Sequence, residues 1–167
     1  MHTTWIAVAD DSRARIFLSR SDHPLQELED LTQPESRLDD RERSDDAKGH
    51  YSGAVFTGSG SPGHQGMVHG AGHSAEPRTS SHDKLEGQFA RQLAQRLEGA
   101  RRDGAYEHLI LIAAPRFLGK VRAQLSPQVT KRLAHTIAKD LSKLSLSDLE
   151  SRLQAQDLLA PAKPAAH

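Results

Sequence analysis

The sequence predicts an α/β domain. Three observations point there: an N-terminal stretch rich in strand formers, one long amphipathic helical pattern, and a continuous apolar run, LILIAA, set between two helical patterns. The length of 167 residues suits one domain, taken as residues 1–159, with a disordered tail, APAKPAAH, from 160 to 167.

Thr4 to Ala9 (TWIAVA) reads as a strand. Asp10, Asp11 and Ser12 form a turn cluster, and Arg13 to Ser19 alternates well enough to complete a hairpin. Leu25 to Leu31 has leucines at 25, 28 and 31 that fit neither period; a third strand is the simplest continuation of a meander. Pro34 to Lys48 is charged and mixed in sign, the pattern of a solvated linker.

A helix is expected from Ser80, with Ser80 and Asp83 at capping-box spacing and Asp83 and Glu86 in the first turn. Leu85, Phe89, Leu93 and Leu97 form its apolar stripe, and Gly104 marks its stop. The opposite face carries Arg91, Arg96 and Arg102. That face suits either a phosphate backbone or plain solvation.

LILIAA then reads as a strand buried on both faces. Pro115 pre-sets the first turn of the next helix, with Phe117 and Leu118 turned inward. A helix N-terminus at the carboxyl end of a buried strand is an anion site, with Arg116 either as an added donor or lying on its own surface. Ser126-Pro127 opens a further helix. From Val129 to Leu144 the apolar spacing is helical, although Leu133, His135 and Ile137 also alternate as in a strand. Ser147 and Glu150 mark a last cap, before a terminal helix carrying Leu149, Leu153 and Leu158.

Between the third strand and the main helix lies one long excursion, 34–80. Its part from Gly49 onward holds eight of the twelve glycines, together with His50, His64, His69 and His73. Such a stretch is either a flexible surface insertion or an arm presented to a polar site elsewhere. Within it, Gly63-His64-Gln65-Gly66 places a glutamine among glycines. There a backbone N–H can face a developing oxyanion and the side chain can position a water.

The remaining chemistry is bounded by absences. Net charge is zero, so nothing pulls the whole chain toward nucleic acid or membrane, and any such contact comes from local patches. Cysteine is absent, which excludes disulfides and thiolate metal sites. No secretory leader and no bilayer-length apolar segment is read, so a soluble, cytoplasmic protein with no membrane contact is expected. There is no P-loop, GxGxxG, HExxH or GxSxG string, and no cofactor is expected. His69 and His73 stand four apart, with His64 nearby, a spacing that in coil supports weak metal binding at most.

The chain resembles the bacterial host attachment protein family. The resemblance rests on WIAVADDSRARIF from Trp5 to Phe17, QPESRLDDR from Gln33 to Arg41, and the glycine-histidine loop. Glu76-Pro77-Arg78, Phe89-Ala90-Arg91-Gln92-Leu93, Ala114-Pro115-Arg116-Phe117-Leu118-Gly119 and Leu125-Ser126-Pro127 complete it. That family is in turn similar to the middle domain of archaeal and eukaryotic class-1 peptide-chain release factors. The resemblance implies a mixed sheet of about five strands flanked by helices, a long Gly/His-rich loop before the main helix, and a strand near Lys131 to Ala138, which we adopt over the helical period.

In the release factors the corresponding loop ends in Gly-Gly-Gln and enters the peptidyl-transferase centre. Here Gly63-His64-Gln65 is the nearest string, and a histidine in a left-handed position costs about 1 kcal/mol or more. The resemblance implies a factor that binds the ribosome or the tRNA acceptor end in rescue, quality control or hibernation. Gln65 is the candidate catalytic residue should the chain hydrolyse peptidyl-tRNA. Gly63, His64 and Gly66 shape the loop tip, and Arg91, Arg96 and Arg116 are the candidate RNA contacts. Two alternatives stand beside it: a non-enzymatic effect on attachment to host cells or surfaces, and weak metal binding by the loop histidines.

Overall fold

A computed structural model describes residues 2–33 and 81–159. The chain runs β1 (Thr4–Ala9), β2 (Arg13–Arg20), β3 (His23–Thr32), α1 (Ser81–Arg102), β4 (His108–Ala113), α2 (Pro115–Gln124), α3 (Pro127–Arg132), β5 (Leu133–Ala138) and α4 (Leu146–Gln154). The strands form one mixed sheet in the order β3-β2-β1-β4-β5. The β1–β2 and β2–β3 pairs are antiparallel, and β4 pairs parallel with both β1 and β5. This is the expected α/β architecture of five strands. The excursion 34–80 and the tail 160–167 lie outside the described residues.

The sheet is covered on both faces, which is why β1 and β4 are apolar almost throughout. One face packs Trp5, Ile16, Leu109 and Leu111 against Phe89, Leu93 and Leu97 of α1, Phe117 of α2 and Val129 of α3. The other packs Ile6, Val8, Phe17 and Ile112 against Leu149 and Leu153 of α4.

The leucines of β3 lacked a period because β3 is bulged. Ile16 pairs with Glu29 and Phe17 with Glu27, so Leu28 is an extra residue with no partner. One inserted residue reverses the faces. Leu25 joins the α4 side, Leu31 packs on the α1 side, and Leu28 is left exposed.

α1 ends as its sequence indicates. Gly104 has φ of +68°, and the bonds Ala105 N–H to Ala100 O and Gly104 N–H to Arg101 O close a Schellman motif. At its start the expected capping serine, Ser80, lies outside the described residues.

β5 (Leu133–Ala138) is the strand expected near Lys131 to Ala138, and the apolar spacing from Val129 to Leu144 divides among α3, β5 and the segment after it. Val129 enters the α1-side core, while Ile137, Leu141 and Leu144 join the other. Pairing with β4 overrides the local period. The last cap is Ser145, not Ser147. Its hydroxyl oxygen accepts the Asp148 N–H at 3.1 Å and the hydroxyl donates to Asp148 Oδ2 at 2.7 Å. Glu150 instead accepts the Leu25 N–H at 3.2 Å, tying α4 to β3.

Candidate functional site

β1 and β4 run parallel side by side, and the chain leaves their carboxyl ends in opposite directions. After β1 it turns back into β2; after β4 it enters α2 and goes on to β5. A crevice forms at such a point in an α/β sheet. Here it is a 260 Å³ cavity lined by Asp10, Asp11, His82, Glu86, Ala114, Arg116, Phe117 and Asp140.

Asp10 organises the floor. Its Oδ1 accepts the N–H groups of Ser12 (2.8 Å) and Arg13 (2.7 Å), and its Oδ2 accepts the Ser142 hydroxyl at 2.7 Å. Burial alone would raise its pKa, but the hydrogen bonds from Ser142, Ser12 and Arg13 outweigh that and hold the carboxyl below its ordinary value. The β1–β2 turn is thereby fixed to the segment after β5.

The same turn holds both flanks of the 34–80 excursion. On one side the Gln33 N–H donates to the Ser12 carbonyl at 2.9 Å. On the other, His82 in the first turn of α1 places Nε2 3.4 Å from Asp11 Oδ2 and 3.1 Å from Glu86 Oε1. Residues 33 and 81 therefore start from one corner of the molecule.

The sequence left Arg116 either as an added anion donor at the N-terminus of α2 or lying on its own surface. Arg116 pairs with Asp83 and reaches Glu86, and Lys120 pairs with both carboxylates. Glu86 is 4% exposed, although the apolar stripe seemed to begin beside it at Leu85. Protein carboxylates thus occupy these cations, and the crevice is predominantly acidic.

The other candidate arginines are dispersed. Arg96 binds Glu29 of β3 through its guanidinium, which also lies over the Trp5 ring at 5.3 Å. It lies thirteen positions beyond Asp83 along α1, about 20 Å of helix axis. Arg91 is exposed and lines a 470 Å³ groove with Gln95, Arg102 and Gln124. Arg91, Arg96 and Arg116 therefore do not form one patch. Gly63, His64, Gln65 and Gly66, with His50, His69 and His73, lie outside the described residues.

Asp11, His82, Glu86 and Asp140 were not singled out as site residues from the sequence. A signal was present: His82 and Glu86 are four apart at the start of a helix, and an Asp pair follows a strand.

Beside the groove, Glu98 accepts hydrogen bonds from Arg101, Arg102 and Ser126. Arg101 first, then Ser126, holds its carboxyl at about 2 against an ordinary 4.5. Because the folded value is depressed, the unfolded chain binds the proton more readily. The stabilisation is present above about 4.5 and is lost as pH falls toward about 2. Urea unfolding across that range is expected to show Glu98→Gln less stable than the parent near neutrality, with the gap closing in acid. A gap independent of pH would contradict the assignment.

Residues 5–153 match the family model described as "Protein required for attachment to host cells". No curated protein matches the chain in sequence. Among solved structures, one described as an archaeal protein is 14% identical, with a TM-score of 0.48, and the match covers 95% of this chain and 35% of that one. An archaeal translation termination factor is 11% identical, with a TM-score of 0.45, and the match covers 93% of this chain and 39% of that one. The chain thus spans well under half the length of either.

Proposed function

The chain belongs to the family described as "Protein required for attachment to host cells", and from that premise and the corner geometry we propose that it is a ribosome- or tRNA-associated factor that presents residues 34–80 to an RNA-lined cavity. The observation that carries this reading is the anchorage of Gln33 and His82 on the single turn Asp10–Ser12. A rigid sheet fixes where the excursion begins and ends. Fixing both ends of a long segment at one point lowers the entropy lost when it docks.

A second feature supports an RNA partner. Pro115 to Arg132 carries five basic residues, Arg116, Lys120, Arg122, Lys131 and Arg132, and no acidic one. Arg122, Lys131 and Arg132 are exposed, as is Arg91 across the groove. These four would meet phosphate, in place of the paired Arg96 and Arg116. Gln65, flanked by Gly63, His64 and Gly66, is the residue assigned to the acceptor end.

Co-sedimentation with ribosomes over a salt series tests the reading. Association is expected at about 50 mM salt and is expected to weaken steeply by about 200 mM, as phosphate contacts require. Association that is absent even at the lowest salt would contradict it. A peptidyl-tRNA release assay on the parent and Gln65→Ala separates hydrolysis from binding alone.

A further inference from the structure

We infer that Asp11, His82 and Glu86 form a binding site for a zinc-class divalent cation that joins the β1–β2 turn to the first turn of α1. This goes beyond the RNA-facing reading and does not depend on it.

The three residues offer one imidazole nitrogen and two carboxylate oxygens, all within 4.8 Å of one another. His82 Nε2 is shared between the two acids, at 3.1 Å from Glu86 Oε1 and 3.4 Å from Asp11 Oδ2. Two donors bound tetrahedrally to one zinc at about 2.0–2.1 Å stand about 3.3 Å apart. The two spacings from His82 Nε2 match that separation.

Glu86 divides its two oxygens. Oε2 is taken by Lys120, with Arg116 Nε at 3.5 Å, while Oε1 faces His82. A ligating carboxylate supported on its outer oxygen is the usual arrangement behind a metal ligand. The side chain of Glu86 is 5% exposed, so its aim is set by packing, whereas those of His82 and Asp11 are 26% and 42% exposed and leave the site open to solvent. Asp10 and Asp140 line the same cavity and add negative charge. One nitrogen with two oxygens suits zinc or manganese, whereas magnesium takes oxygen ligands and keeps its waters.

The experiment is zinc titration by calorimetry on the full chain with His50, His64, His69 and His73 all replaced by alanine, so that those histidines contribute nothing. One equivalent is expected to bind. It is expected to be lost in His82→Ala and in Asp11→Asn added to that background, and to be retained in His108→Ala. The last variant removes the exposed set His2, Glu107 and His108, the other such group among the described residues. Zinc is expected to raise the melting temperature of the background protein and not that of its His82→Ala derivative. Magnesium is expected to do neither. No zinc uptake in the background protein, or uptake unchanged by His82→Ala, overturns the proposal.

Discussion

Replacing Arg15 by alanine is expected to lower stability by about 2–3 kcal/mol, because a charged donor is removed from a partly buried carbonyl and from its pair with Glu27. Arg15 is 7% exposed and lies on the α4 side of β2. Its Nε and Nη2 donate to the two oxygens of Glu27 at 2.9 and 2.8 Å. Its Nη1 donates to the Leu144 carbonyl at 2.6 Å, and the guanidinium covers the Phe17 ring at 4.9 Å. One side chain thus joins β2, β3 and the connection into α4. Without it, Glu27 loses the partner that holds its pKa below the ordinary value, and a partly buried carbonyl loses its donor. Removing Glu27 as well, in Arg15→Met with Glu27→Met, is expected to recover much of the loss. Urea unfolding of the parent and the two variants measures this. A loss under about 1 kcal/mol for Arg15→Ala would show that the cluster contributes little.

Phe117→Ala is expected to cost more, about 3–5 kcal/mol, for a different reason. Phe117 is 2% exposed, and its ring stacks on Phe89 with centroids 5.8 Å apart and planes 22° apart. Truncation leaves a void between α1, α2 and the sheet. Phe117→Leu is expected to cost less, because it fills part of that volume. The effect should extend to the crevice. Arg116 precedes Phe117 directly and Lys120 follows one turn later, so loosening α2 loosens both cations from Asp83 and Glu86. A double-mutant cycle with Phe89→Ala is expected to give a coupling of about 0.5–1.5 kcal/mol. Zero coupling would mean that the stacked rings act independently.

These two sites show what the sequence made legible. The hairpin of β1 and β2, the helix α1, the strand in LILIAA and the turn at Pro115 all follow from local signals: propensity, period and proline geometry. The motifs FARQL and PRFLG, which carry the family resemblance, meet through Phe89 and Phe117, so part of what makes them recognisable is packing. The bulge at Leu28 was illegible because a single extra residue reverses faces without leaving a local signature. β5 was readable through the resemblance and not through its own period, since pairing with β4 decides it. The crevice was hidden for the same physical reason. Asp10 reaches Ser142 across 132 residues, and His82 reaches Asp11 only after the sheet has formed. Arg15 looked like one polar position in an alternating strand, and nothing local announced that it would be buried.

On the proposed function, the sheet anchors the flanks of residues 34–80 at one corner for presentation to RNA. The most direct test of this claim replaces 34–80 by a short glycine-serine linker between Gln33 and Ser81, and compares ribosome association with that of the full chain at low salt. The two ends sit on the same turn, so the shortened protein is expected to keep its circular dichroism and cooperative melting while associating far more weakly. A folded, shortened protein that binds as tightly as its parent would contradict the claim and leave the basic surface of α2 and α3 as the binding element.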